Sequence, residues 1–147
     1  MSISKLLDDF RTKYERHGEF TLTPELTIST VVKESKVPNE FGIYVISSLT
    51  PLKSEIVYVG KAGTVMVDGQ WKRQGLSKRL TNKQGKENRN KFFRNYILEE
   101  NLIGLRFEWF VTFRSESLKV LPLLAEAQLI QAFFNEHHRL PKLNASA

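Results

Sequence analysis

Cysteine is absent from the 147 residues. That removes disulfides, thiolate zinc sites and cysteine nucleophiles together, and any metal must sit on oxygen or imidazole. No run is long and apolar enough to span a bilayer, and residues 1–10 carry Asp8 and Asp9 where a secretory leader would be apolar. The expectation is a soluble, intracellular (cytoplasmic) protein with no membrane partner. Repeats and low-complexity tracts are also missing. With 41% hydrophobic and 26% charged residues, the composition excludes disorder and fibrous architectures. A chain of this length predicts one domain with its own core.

Acids are scarce in one stretch. From 61 to 94 there are ten basic residues (Lys61, Lys72, Arg73, Lys78, Arg79, Lys83, Lys86, Arg89, Lys91 and Arg94) against Asp68 and Glu87, whereas the remainder has twelve basic and fourteen acidic residues. The net charge of +6 is thus concentrated in a quarter of the chain. Such a distribution fits a phosphate-binding face, the plain alternative being a solvated surface stretch.

Leu6, Leu7, Phe10 and Tyr14 recur at helical spacing after Ser4, with Gly18 as a natural stop, and predict an amphipathic helix. Phe41-Gly-Ile-Tyr-Val-Ile and Glu55-Ile-Val-Tyr-Val-Gly read as two antiparallel strands around a turn-rich segment, and Arg106-Phe-Glu-Trp-Phe-Val-Thr-Phe as a third. Between them, Asp68-Gly69 signals a two-residue turn in a small β-ribbon. Short helices are expected from Gly75 and over 90–100, and Pro122 suits the first turn of a long final helix. The sum is a small α/β domain of α+β type around an antiparallel sheet.

Three positions carry candidate chemistry. If the first hairpin turns about Pro51, Tyr44 lies opposite Tyr58 and two phenols converge; packing against the core is the commoner fate of strand tyrosines. Glu126 has Leu123, Leu129, Ile130 and Phe133 as helical neighbours. A carboxylate on such an apolar face pairs with a cation, binds a metal or stays protonated. Arg79 lies between Leu76 and Leu80, beside the buried stripe, which suits a guanidinium aimed at phosphate as well as an ordinary surface arginine. His137, His138 and Arg139, near a helix end, read as structural, since adjacent helical residues point about 100° apart.

Gly42-Ile43-Tyr44, Tyr58-Val59-Gly60-Lys61-Ala62, Leu76-Ser77-Lys78-Arg79-Leu80, Glu126 and Pro141-Lys142-Leu143-Asn144 follow one another in that order. Over 41–144 the chain resembles the GIY-YIG nuclease domain. The resemblance implies a nuclease domain over 41–147 with an antiparallel sheet of about three strands flanked by helices, an inserted β-ribbon, and a helical extension over 1–40 packed on it. It implies a divalent-metal-dependent endonuclease that hydrolyses DNA phosphodiesters with one Mg²⁺ or Mn²⁺ ion, in repair, restriction or mobile-element defence. Tyr44 and Tyr58 would lie near the attacking water, Arg79 on the phosphate and Glu126 on the metal, with Lys61 an electrostatic helper and Asn144 a stabiliser of the site. A single carboxylate suffices in principle, because magnesium often fills its shell with water and substrate phosphate. A free phenol titrates near 10, so a tyrosine removes the proton of water at neutral pH only if neighbouring cations lower its pKa.

Many relatives carry His or Tyr where this chain has Lys83, which points Lys83 to phosphate instead. Lys78, Lys83, Lys86 and Arg89 are expected to contact substrate. So are Trp71, Lys72 and Arg73 of the ribbon, which could enter a groove of DNA; the bland reading is a surface hairpin whose Trp packs on the domain. Competing readings are a nucleic-acid-binding module that does not cut, and an RNA-processing nuclease. Small nucleases with one site often dimerise, and the first helix is the candidate homodimer interface.

Overall fold

Ser2, whose hydroxyl accepts from the Lys5 N–H at 3.2 Å, caps the first helix in the computed structural model. The structure describes residues 2–145 other than 73, 82, 85, 86 and 115–117, with backbone alone at 83, 84, 87 and 88. In chain order the elements are α1 (Ile3–Lys13), β1 (His17–Leu22), α2 (Ile28–Glu34), β2 (Phe41–Leu49), β3 (Ser54–Ala62), β4 (Thr64–Val65), β5 (Trp71–Lys72), α3 (Leu76–Thr81), β6 (Lys83–Gln84), β7 (Glu87–Asn88), α4 (Arg89–Glu99), β8 (Gly104–Arg114), β9 (Leu118–Lys119) and α5 (Pro122–His137).

The sheet is antiparallel in the order β1-β8-β2-β3, with β9 pairing on β8. That makes five strands where about three were expected, and the excess is instructive. Residues 1–40 are not simply a helical extension, because β1 inside them is an edge strand of the sheet. Gly18, expected to stop the helix, lies within β1, where a Cβ would meet Trp109 Cζ2 at 2.7 Å. The helix ends earlier, at Tyr14, whose extended backbone leads into the strand. α1 spends its apolar side on the core, burying Ile3, Leu7 and Phe10, so that side is not free to receive a second copy.

Helices cover both faces. On one, Tyr44, Ile46, Phe107 and Val111 pack with residues of α2, α3 and α4; on the other, Ile43, Val45, Val59 and Phe110 pack with α1 and α5. This two-sided burial is why β2 reads as a continuous apolar run instead of an alternating one. The mixed α+β class with a helix-flanked antiparallel sheet is as expected.

The register of the first hairpin differs from the expected one. Tyr44 pairs with Gly60, and Tyr58 with Ile46. The loop closes later than a turn about Pro51 would, with the Thr50 N–H donating to Lys53 O at 3.0 Å, and a bulge follows Ile46. A slip of two residues preserves the face of every side chain, so the two tyrosines still share one face, now as diagonal neighbours.

The β4–β5 ribbon is present, but its turn has three residues instead of two. Met66 N–H donates to Gln70 O at 2.8 Å, and Gly69 N–H to Met66 O at 2.9 Å, around Val67, Asp68 and Gly69. Gly69, with φ of 84°, supplies the left-handed position that such a loop requires. Among the described residues no helix is long and apolar enough to cross a membrane.

Candidate functional site

Two glycines allow the tyrosines to sit as they do. Gly42 crosses β8 so closely that a Cβ would lie 1.9 Å from Phe110 O. Gly60 faces the rings, and a Cβ there would meet Tyr58 Cε2 at 2.6 Å and Tyr44 Cζ at 2.7 Å. The rings consequently lie across the strand with centroids 5.8 Å apart. They are not equivalent. Tyr44 is fully buried and its hydroxyl has no hydrogen-bond partner among the described residues, whereas Tyr58 is only partly covered. Burial pushes the Tyr44 phenol up to about 12, with nearby Tyr58 adding to the rise and the Arg89 and Arg79 guanidinium groups opposing it.

β3 is an edge strand, and its outer side is closed by the C-terminal segment. Leu143 N–H donates to Val57 O at 2.8 Å; the Asn144 side chain accepts from Val59 N–H and donates to Val59 O, both at 2.9 Å. One side-chain amide thus imitates a neighbouring strand, fixing the backbone beside Tyr58. It also protects an edge that would otherwise invite pairing. A geometric role for Asn144 needs nothing beyond these bonds.

α3 brings Arg79 to the tyrosine face. Its first amides are satisfied by the loop before β2: Leu76 N–H bonds to Glu40 O at 2.8 Å, Ser77 N–H to Pro38 O at 3.2 Å and Lys78 N–H to Asn39 Oδ1 at 3.3 Å. Gly75 permits this, since a Cβ there would stand 2.5 Å from the Asn39 backbone. Leu76 and Leu80 anchor the helix in the core, and Arg79 lies partly buried between them with a covered Nε that has no hydrogen-bond partner among the described residues.

Glu126 approaches from the opposite face, on α5, flanked by buried Ala125 and Leu129. The apolar surroundings expected of it hold at Leu129 and Phe133 but not at Leu123, which is 60% exposed. Desolvation raises the carboxyl above its ordinary range, opposed by Lys61 and Arg79. Glu126 therefore senses both cations, yet it makes no ion pair among the described residues. Lys61 Nζ instead has Thr64 Oγ1 at 3.4 Å. One carboxylate and two cations are gathered around a single edge strand without neutralising one another directly. Among the described residues no group of three or more His, Asp or Glu could enclose a metal, so a metal at Glu126 would have few protein ligands. Magnesium accepts such a site, taking water and substrate oxygen for the rest of its shell.

The basic stretch does not form one uniform surface. Lys72 and Lys78 are exposed, and Arg94 donates to Pro24 O at 3.1 Å. Arg73, Lys83 and Lys86, expected to contact substrate, lie outside the described side chains. Arg89, expected on the same surface, is 3% exposed, with a covered Nε that lacks a hydrogen-bond partner among the described residues. It lies 6.0 Å from the Phe93 ring and lines a small cavity with Tyr58, Ile46 and Leu143. Its burial was visible in principle: Arg89, Phe93 and Ile97 follow at i, i+4 and i+8 on the inner side of α4.

Trp71 takes the bland course. Its ring stacks on Phe41 at 4.2 Å and approaches Phe113 at 4.5 Å, so it holds the ribbon to the sheet and is not free to wedge between bases. His137 packs on Phe133 at 4.3 Å, and His138 closes α5 in the left-handed conformation, structural roles as expected. Compared with protein-family models, curated proteins and solved structures, the chain matches none of them.

Proposed function

We propose that this chain is a metal-dependent endonuclease of the GIY-YIG kind, hydrolysing phosphodiester bonds in DNA. The observation that carries the reading is the gathering of Glu126, Lys61 and Arg79 around β3, close enough for both cations to act on the carboxyl, with no ion pair formed by Glu126 among the described residues. Charges kept apart in a partly desolvated site suit a ligand that brings charge of both signs, such as a phosphate with its cation. The ordered motifs resembling the GIY-YIG domain support the same reading.

In this reading Arg79 binds the non-bridging oxygens of the scissile phosphate and stabilises the charge they gain as phosphorus becomes pentacoordinate. Tyr58, the accessible phenol, orients the attacking water. Tyr44, buried and held protonated, props the Tyr58 ring, and Arg89 supplies fixed positive charge behind the pair. Lys61 offsets negative charge on the α5 side of the strand. A divalent ion bound through Glu126 would supply Lewis acidity at the phosphate. Exposed Lys72 and Lys78 add attraction for the nucleic-acid backbone.

The test is supercoiled plasmid incubated with the folded protein and Mg²⁺ or Mn²⁺, with single-stranded RNA in parallel. Nicking by the wild type, lost in Arg79→Ala, supports the proposal. Retained DNA binding without any cutting would replace it with a binding module, and cutting of RNA alone would replace the substrate.

A further inference from the structure

The far face of the sheet holds a cleft that the nuclease reading does not use. Its volume is about 350 Å³, within the range of small-ligand sites, and it opens where α1 and the end of α5 leave the sheet uncovered. Ile3, Leu7, Ile56 and Phe133 form apolar walls, and Arg106 and Ser47 lie on the strand floor.

The charges lining the cleft differ in one respect. Glu108 is held by two hydrogen bonds from Arg11, at 2.6 and 2.8 Å. Glu55 meets Arg139 at 3.2 Å and Lys142 at 3.7 Å. Glu136 stands at the rim, 42% exposed, with His137 at 3.2 Å. Arg106 is partly buried and has no hydrogen bond, ion pair or ring contact among the described residues. Its direct cross-strand partner is Ser47, which is 4% exposed and likewise makes no side-chain hydrogen bond among them. By contrast, the next residue, Ser48, donates to Glu55 O at 3.3 Å. Ile56 pairs with Ser47 on its other side, so one row across three strands presents a guanidinium, a hydroxyl and an apolar side chain.

We propose that this cleft binds a small amphipathic anion, its carboxylate or phosphate-ester head on Arg106 and Ser47 and its apolar body between Leu7, Ile56 and Phe133. A planar guanidinium binds either head by paired hydrogen bonds, and a hydroxyl beside it adds a further donor. Nucleic acid is a poor occupant, because the apolar walls offer nothing to a chain of phosphates and the basic residues Arg11, Arg139 and Lys142 are already engaged by Glu108 and Glu55. The proposal stands independently of the nuclease reading, and its readout is binding alone.

The experiment is an NMR titration of the full chain with hexanoate, hexyl phosphate, acetate and inorganic phosphate. Saturable shifts confined to the cleft are expected with hexanoate or hexyl phosphate, on the order of tenfold tighter than with acetate or inorganic phosphate. The tighter of the two six-carbon probes identifies the head group. Arg106→Gln should weaken binding about tenfold or more, Arg106→Lys should retain part of it, and Ser47→Ala should cost a few-fold. No saturable shift with any probe, or unchanged affinity in a folded Arg106→Gln variant, would overturn the proposal.

Discussion

Two clusters of charge lie against this sheet, and they are built in opposite ways. On β8, Glu108 is buried and engaged by Arg11, which also pairs with Asp8, so the Glu108 charge is matched within the fold. Around β3, Glu126 forms no ion pair among the described residues, and the Nε atoms of Arg79 and Arg89 are covered without hydrogen-bond partners there. The first arrangement fastens α1 to the sheet. The second tolerates electrostatic cost, and a protein retains such cost where an incoming ligand relieves it.

The largest effect that would break this comparison is on catalysis. Arg79→Ala, folded, is expected to lower nicking about 10²-fold to 10³-fold, the scale of losing one stabiliser of transition-state charge. A loss below about fivefold, measured by initial rates on plasmid, would place Arg79 outside the chemistry. Next comes the matched cluster. Arg11→Met leaves Glu108 buried without its partner and is expected to cost about 2–3 kcal/mol in urea unfolding, at the lower end for buried pairs because Arg11 is partly exposed. Glycine substitutions sharpen the contrast between scaffold and site. Gly42→Ala, pressed against Phe110 O, should destabilise by about 1–3 kcal/mol, whereas Gly60→Ala should lose activity beyond its loss of stability, because it displaces both tyrosine rings.

Much of this scaffold was legible in the sequence, for identifiable reasons. Strands β2, β3 and β8 carry long runs of β-branched and aromatic residues, and α5 has both length and Pro122 at its start. β1 and α2 were missed because six and seven residues give too few periods to recognise, and Gly18 in β1 looks like a terminator. Tyr44 and Tyr58 were placed on a common face despite the wrong register, since parity survives an even slip. The edge clamp by Asn144 depends on tertiary placement. A basic residue among nine others reads as surface, although Arg89 shares one side of its helix with Phe93 and Ile97.

The smallest effect expected is also the most diagnostic of the β3 cluster. The folded Glu126 carboxyl holds its proton more tightly than the unfolded one. Stability therefore falls as pH rises from the ordinary carboxyl range through the raised value, and the penalty is complete above it. Glu126→Gln removes that penalty. Thermal unfolding should show a higher Tm for the variant at pH 7 and a gain that fades below about pH 4, where both forms of the native residue are protonated.

The central claim, that the β3 edge keeps charge unmatched in order to cut, is tested most directly by measuring Tm and plasmid nicking on the same preparation of Glu126→Gln at pH 7. The account predicts that the variant is more stable than wild type and does not nick DNA in Mg²⁺ or Mn²⁺. A variant that is less stable and still cuts at the wild-type rate would contradict it.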